Sequence, residues 1–237
     1  MTLQLTPWQA PSLHPELTSE SVHLWRFPLD CADSLEHLLN EEERQKASRL
    51  RAPGKARAFV VARGRLRQVL ASYLEVAPEA LRFQYGPFGK PVLAGRAAAD
   101  LAFNLAHSGS WGLCAVTKGI EVGVDIERVD RQLDYDKLAA GFFSSREQAR
   151  LQAGSPQRRR RQFFRIWTRK EAWLKGKGGG FSDPDQDIGS AHLTGSYTHD
   201  GSWWLKSVPV ARHYLAALAL SRECTLVQRW NGWQTPV

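Results

Sequence analysis

Apolar and polar positions alternate over residues 22–27 (Val22-His23-Leu24-Trp25-Arg26-Phe27), which predicts a β-strand. The period then changes. Residues 41–51 and 55–74 predict helices, and in the second Phe59, Ala62, Leu66, Val69, Leu70 and Tyr73 fall on one face. Pro53-Gly54 separates the two as a turn. A short strand is expected at 81–85, then a loop, Gly86-Pro87-Phe88-Gly89-Lys90-Pro91, whose prolines exclude a helix. Residues 101–105 predict a strand, and 113–117 with 120–127 predict a hairpin turning at Lys118-Gly119. Helices follow at 134–142, 145–152 and 157–175. The second has a serine cap at its start, and the third stops in the glycines of 176–180, with Pro184 beyond. Residues 203–208, 214–220 and 225–230 predict closing strands, and residues 1–19, with three prolines and no period, an irregular lead-in. Both halves mix helices with antiparallel-looking strands and no repeat of 20 to 50 residues is visible, so the expected fold is α+β in two lobes of similar size.

Composition narrows the function classes. With 237 residues and 43% hydrophobic side chains the chain can bury a large core, and a charged fraction of 24% argues against wholesale disorder. The longest clean apolar run, residues 214–220, is strand-sized, far below the roughly 20 residues that span a bilayer, and no secretory signal is visible. The three cysteines are odd in number and lack metal-ligand spacing, which disfavours a disulfide scaffold or a zinc finger and points to the cytoplasm. The net charge of +8 asks for an anionic partner. Basic residues cluster between Glu41 and Leu70 and again from the Arg158-Arg159-Arg160-Arg161 run to Lys177. Between them lies an acidic stretch, Glu121 to Asp136. Two basic blocks around an acidic one suggest a phosphate ligand with a neutralising cation, while any single Arg or Lys taken alone reads first as a solvated helix face. The Arg158–Arg161 run itself fits a wet loop, a helix start or a docking patch for an acidic protein.

Four segments look like chemistry. In Gly123-Val124-Asp125-Ile126-Glu127, a strand turns Asp125 and Glu127 to one face and Val124 and Ile126 to the other. Paired carboxylates there fit a hard-cation site and a solvated strand end equally well. In Trp167-Thr168-Arg169-Lys170-Glu171-Ala172-Trp173-Leu174-Lys175, Glu171 and Lys175 are helical neighbours, a surface pair or, on so apolar a helix, groups awaiting a metal and a phosphate. His107, in Phe103-Asn104-Leu105-Ala106-His107-Ser108-Gly109 after a strand, reads as a phosphate contact, a base or a capped loop histidine. The loop around Gly89-Lys90-Pro91 presents one lysine, as many turns do.

Taken in order, these segments resemble the 4′-phosphopantetheinyl transferase superfamily, in its large, monomeric, two-lobed type. The resemblance runs from about Glu41 to about Asp187 and rests on the Gly123–Glu127 and Trp167-x-x-Lys170-Glu171-x-x-x-Lys175 runs. It implies pseudo-symmetric lobes, each a small, mainly antiparallel sheet with packed helices, divided as residues 1–118 and 119–237, with the active site in the cleft between them. It also implies transfer of the phosphopantetheine arm of coenzyme A to a serine of an acyl or peptidyl carrier protein, with Mg²⁺, releasing adenosine 3′,5′-bisphosphate. On that basis Asp125, Glu127 and Glu171 would be the Mg²⁺ ligands, with Asp125, Glu171 and Lys175 catalytic and Glu171 the general base. Coenzyme A would meet Lys46, Phe88, Gly89, Lys90, Pro91, His107, Ser108 and Lys175. A secondary-metabolic role, a monomer, and no nucleic-acid or membrane partner belong to the same expectation. Two departures stand out: Ala106 where such relatives often carry serine, and Glu42-Glu43-Arg44 where some carry a further basic residue, with Arg63 a possible substitute. The competing classes are a basic nucleic-acid-binding protein, whose tryptophans would stack on bases, and a metal-dependent phosphodiesterase using the same carboxylates.

Overall fold

The computed structural model describes residues 3–11, 13–31, 34–52, 54–95, 100–130, 132–179, 197–199 and 203–232. Pro53, Gly180 and Pro184 of the expected turn and helix stop lie outside the described residues. Two sheets share one apolar core, and each carries a long helix on its outer face. The first sheet has the order β1 (Gln4–Gln9), β11 (Leu226–Asn231), β2 (Ser21–Pro28), β6 (Trp111–Lys118), β5 (Leu101–Ser108). The second has the order β7 (Val122–Arg128), β10 (Tyr214–Leu220), β9 (Trp204–Val208), β8 (Tyr197–His199). A two-stranded sheet, β3 (Phe83–Tyr85) and β4 (Pro91–Leu93), flanks the first. The helices are α1 (Glu41–Ser48), α2 (Lys55–Leu74), α3 (Tyr135–Phe142), α4 (Ser145–Gln152) and α5 (Pro156–Lys177). The fold class is therefore α+β, as expected.

Strand alternation explains the layering. In β2, Val22 and Leu24 point between the sheets, while Trp25 and Phe27 point outward under Val61, Leu66 and Leu70 of α2. In the second sheet Val124, Ile126, Leu218 and Leu220 face inward. On the outer side Ala217 and Ala219 meet α5. The helix at 55–74 falls where its apolar stripe predicts. Ser144 caps α4 reciprocally with Glu147, and Gly178, in the left-handed region at φ 78°, ends α5.

Four expectations are corrected. Residues 4–9 are not irregular: β1 lies parallel to β11, and Pro7 is tolerated because β1 is an edge strand. Residues 113–127 are not a hairpin, because β6 already has β2 and β5 as neighbours and β7 joins the other sheet. The turn at Gly119 (φ 66°) thus carries the chain from one sheet to the next, and the hairpin is β5–β6, turning at Gly109-Ser110. The strand from Leu101 consequently continues to Ser108, so His107 and Ser108 end a strand rather than follow one. Finally β11 does not close the second sheet; it inserts into the first, parallel to both β1 and β2. Parallel pairing joins segments far apart in sequence, so no local pattern announces it. Among the described residues no helix is long and apolar enough to cross a membrane.

His23 is fully buried on the outer face of β2. Its Nδ1 lies 2.7 Å from the Tyr73 hydroxyl, which also accepts from Trp25 Nε1 at 2.8 Å. Burial lowers its pKa from 6.5 to about 4. The unfolded chain therefore takes up a proton below pH 6.5 that the native imidazole refuses. This stabilising contribution is complete above pH 6.5 and is lost as the pH falls toward 4, at up to about 1.4 kcal/mol per pH unit. Chemical denaturation between pH 7 and 4 is expected to give a steeper loss of stability for the native sequence than for His23→Gln.

Candidate active site

Two glycines let α5 lie unusually close to β7. A Cβ on Gly123 would sit 1.9 Å from the Ala172 carbonyl oxygen and 2.3 Å from the Gly176 nitrogen, both backbone atoms. A Cβ on Gly176 would sit 2.5 Å from the Trp203 ring. Ala217 and Ala219 keep the neighbouring β10 low under the same helix. This contact sets the distance between the charged side chains of the two elements.

Asp125 and Glu127 point from β7 away from the inter-sheet core, as alternation requires. Lys175 Nζ lies 2.6 Å from Asp125 Oδ1 and 3.7 Å from Glu171 Oε2. Asp125 is only 3% exposed, and its other oxygen, Oδ2, is buried with no hydrogen-bond partner. Burial raises the Asp125 pKa, with Lys175 opposing. Burial and then the Asp125 charge push Glu127 up to about 7. Glu171 is raised by burial and held back by Lys175. Burial works against the Lys175 ammonium, yet Asp125, Glu171 and Glu127 together outweigh it and raise its pKa.

Side chains of β5 lock this cluster to the first sheet. Asn104 Oδ1 accepts from Val124 N–H at 2.8 Å, and Ser108 Oγ accepts from Arg128 N–H at 3.1 Å. These satisfy backbone donors that an edge strand would leave open. Ser108 Oγ also donates to Glu127 Oε2 at 2.7 Å. Ser108, which the resemblance assigns to the phosphate region, thereby also holds a carboxylate of the cluster. Asn104 carried no signal beyond its place in the run.

Beside the cluster a cavity of about 180 Å³ is lined by Lys46, Arg63, Tyr85, Gly89, Pro91 and His107, among others. It gathers four of the residues expected around coenzyme A: Lys46, Gly89, Pro91 and His107. Phe88 is 55% exposed and does not line it. The surrounding protein, then the Lys55 and Lys175 cations, lower the His107 pKa, which favours neutral imidazole. Lys90 is engaged elsewhere: its ammonium donates to Gly176 O at 2.8 Å and Glu121 Oε2 at 3.0 Å, tying the 86–91 loop to the end of α5.

The two departures also find physical reasons. Ala106 points into the inter-sheet core, away from the face that carries His107. Glu43 is 3% exposed; it takes Arg63 Nε at 2.6 Å and Arg67 Nε at 2.8 Å, and caps α1 reciprocally with Asn40. Arg63 thus reaches the cavity with its guanidinium shared among Glu43, the Tyr85 hydroxyl and the Phe83 ring. Lys170, given no role by its motif, forms a buried pair with Glu147 at 2.7 Å and donates to Phe142 O at 2.8 Å, fastening α4 and the end of α3 to α5.

Three carboxylates supply only oxygen, the donor type of Mg²⁺ and Ca²⁺. The partnerless Asp125 Oδ2 and the mutual repulsion of the three acids fit a cation beside Lys175. Among the described residues, no three acidic, histidine or cysteine side chains are yet drawn close enough to form a ready ligand set.

A buried acid cluster bridged by lysine, at the seam of two sheets and next to a basic cavity, suits phosphoryl chemistry. Comparison with known proteins agrees. The model of the 4′-phosphopantetheinyl transferase superfamily matches residues 121–216, and that of a 4′-phosphopantetheinyl transferase N-terminal region matches residues 25–119. The chain is 41% identical over 175 residues to 4′-phosphopantetheinyl transferase HetI of Nostoc sp., covering 71% of this chain and 74% of the relative. It is 30% identical over 174 residues to 4′-phosphopantetheinyl transferase psf-1 of Bacillus pumilus, covering 73% and 70%. With the 4′-phosphopantetheinyl transferase of Bacillus subtilis it shares 31% identity over 153 residues, covering 64% and 66%. The chain belongs to the 4′-phosphopantetheinyl transferase superfamily, and as an enzyme it is a 4′-phosphopantetheinyl transferase.

Gly123→Ala must push α5 off β7. The expected outcome is a loss of about 3 kcal/mol in unfolding free energy, together with a fall in turnover. An unchanged melting temperature would show that the helix does not depend on this contact.

Proposed function

We propose that the enzyme transfers the 4′-phosphopantetheine arm of coenzyme A to a serine of an acyl or peptidyl carrier protein. Adenosine 3′,5′-bisphosphate is the other product. The observation that carries this reading is the Lys175 ammonium held between Asp125 and Glu171 beside Glu127. Phosphoryl transfer depends on positioning and charge neutralisation, and this cluster offers both.

In this reading Asp125, Glu127 and Glu171 hold Mg²⁺, which when bound neutralises the pyrophosphate and polarises the phosphorus under attack. Glu171 is partly open to solvent and its pKa is raised. It takes the proton of the incoming serine hydroxyl. The serine oxygen bonds to the β-phosphorus, the bond from that phosphorus to the bridging oxygen breaks, and the nucleotide leaves with the electron pair. Lys175 donates to the phosphate oxygens as charge builds on the leaving group. Ser108 keeps Glu127 in register, and His107 contacts the phosphates as a neutral donor. The nucleotide end lies toward the cavity of Lys46 and Gly89, with Lys90 exchanging Glu121 for the 3′-phosphate and Phe88 and Pro91 against the adenine. The cleft between lobes dividing near residue 118 is the corresponding binding site, and the enzyme works as a cytoplasmic monomer.

Intact-protein mass spectrometry of an apo carrier incubated with enzyme, coenzyme A and Mg²⁺ tests this. One phosphopantetheine unit is expected to add, to vanish with EDTA, and to require the carrier serine. Glu171→Gln is expected to lower turnover at least 100-fold, and Lys90→Ala to raise chiefly the KM for coenzyme A. Full labelling in EDTA would remove the metal from the mechanism. No labelling together with no coenzyme A binding would remove the function.

A further inference from the structure

We infer that Lys170 is a positioning residue for the reaction: its buried pair with Glu147 fixes the turn of α5 about its own axis, and so aims Glu171 and Lys175 at β7. The inference rests on the reading above, in which those two side chains do the chemistry.

The helix is gripped from two sides. Ala172 and Gly176 meet β7, where Gly123 lets backbone approach backbone. Groups this small set the distance but offer little that resists rotation. Lys170 precedes Ala172 by two residues, about 200° around the helix, so it faces away from the sheet. Phe163 lies on the same far side, seven residues earlier, and its ring stacks on that of Phe143 with centroids 5.2 Å apart. The junction between α3 and α4 thus touches α5 through an apolar contact and an ionic one.

The ionic contact is the directional one. Lys170 Nζ lies 2.7 Å from Glu147 Oε2, donates to Phe142 O at 2.8 Å, and sits 5.2 Å from the centre of the Phe143 ring. Each side chain of the pair is 3% exposed, so water does not compete for these bonds. The same Glu147 oxygen accepts from Ser144 N–H at 2.7 Å, which ties the ammonium to the backbone at the start of α4. Rotation of the helix must break this set, whereas the stacked rings can slide.

Stability alone does not account for the pair. Among the described residues Glu147 Oε1 is buried without a hydrogen-bond partner. Apolar side chains of similar size commonly hold such a site at least as firmly as an ion pair does. Its worth lies in orientation. Glu171 stands about 100° and Lys175 about 140° around the axis from Lys170. A rotation of about 20° carries an atom about 5 Å from the axis through about 1.7 Å. That would part the Lys175 ammonium from Asp125, which it now meets at 2.6 Å.

The test uses the full chain carrying Lys170→Met/Glu147→Gln, which removes both charges and keeps an acceptor for Ser144 N–H. Thermal unfolding is expected to stay cooperative, with coenzyme A binding by calorimetry and the KM for coenzyme A within about threefold of wild type. The kcat for transfer to an apo acyl carrier protein is expected to fall about tenfold or more. The NMR signal of the Lys175 ammonium nitrogen is expected to move toward that of a solvent-exposed lysine. Leu151→Ala is the control, because it loosens the packing of α4 on α5 without touching the pair. It is expected to lower Tm by about 5 °C or more while kcat stays within about twofold. A double variant with wild-type kcat, or one that loses kcat with the Lys175 signal unmoved, overturns the proposal. So does a Leu151→Ala enzyme that loses kcat equally. If the double variant does not fold, Glu147→Asp decides: it keeps both charges but draws the carboxylate back by one methylene, and wild-type kcat there overturns the proposal. Wild-type enzyme that labels no carrier removes the reading above, and the Lys175 signal then still decides whether the pair sets the helix.

Discussion

The contact of α5 with β7 is the constraint on which the rest depends. At Gly123 and Gly176 the absence of side chains lets helix and strand meet backbone to backbone. That proximity puts the end of a long lysine side chain on Asp125 while Glu171 remains one helical turn away. A helix held a methyl group farther out would leave three acids repelling one another across a wider gap, with no ammonium among them.

The cluster is consequently kept under electrostatic tension by burial. Desolvation is the largest influence on every acid in it, and it would favour neutral carboxyls were Lys175 absent. The β5 edge adds a second control. Asn104 and Ser108 use side chains where a sheet would use backbone, so the first sheet holds the strand bearing two of the acids without merging with it. Lys90 adds a tie from the same side, joining its loop to the carbonyl of Gly176. Local polar contacts thus set the geometry that the apolar core alone would leave loose.

Much of this was legible in the sequence, and the limits are physical. Periodicity found α2, α3, α4 and α5 because an amphipathic stripe is a local property. Alternation assigned Asp125 and Glu127 to one face for the same reason. What periodicity cannot report is which strands become neighbours: β6 and β7 look like a hairpin until β5 and β2 are seen to occupy both edges of β6. The first strand is hidden by Pro7, which an edge position forgives, and by the prolines that follow it. At the site, the motifs nominated Lys90 and Ser108 as ligand contacts, but a sequence does not display Glu121 or Glu127 as their partners. Glu43 read as a departure from a basic pattern, and only packing shows it as the anchor for Arg63 and Arg67.

The position of β11 has a consequence for how the chain acquires its shape. Residues 226–231 fill the gap between strands that begin at Gln4 and Ser21, so the first sheet is incomplete until the chain has been made through Asn231. During synthesis Trp25, Phe27 and their neighbours must wait beside an open edge, although the helix that covers them is already available. Such distant pairing slows folding and prolongs exposure of a sticky sheet. It also makes the two halves a single cooperative unit: the second half cannot be removed without taking the centre out of the first.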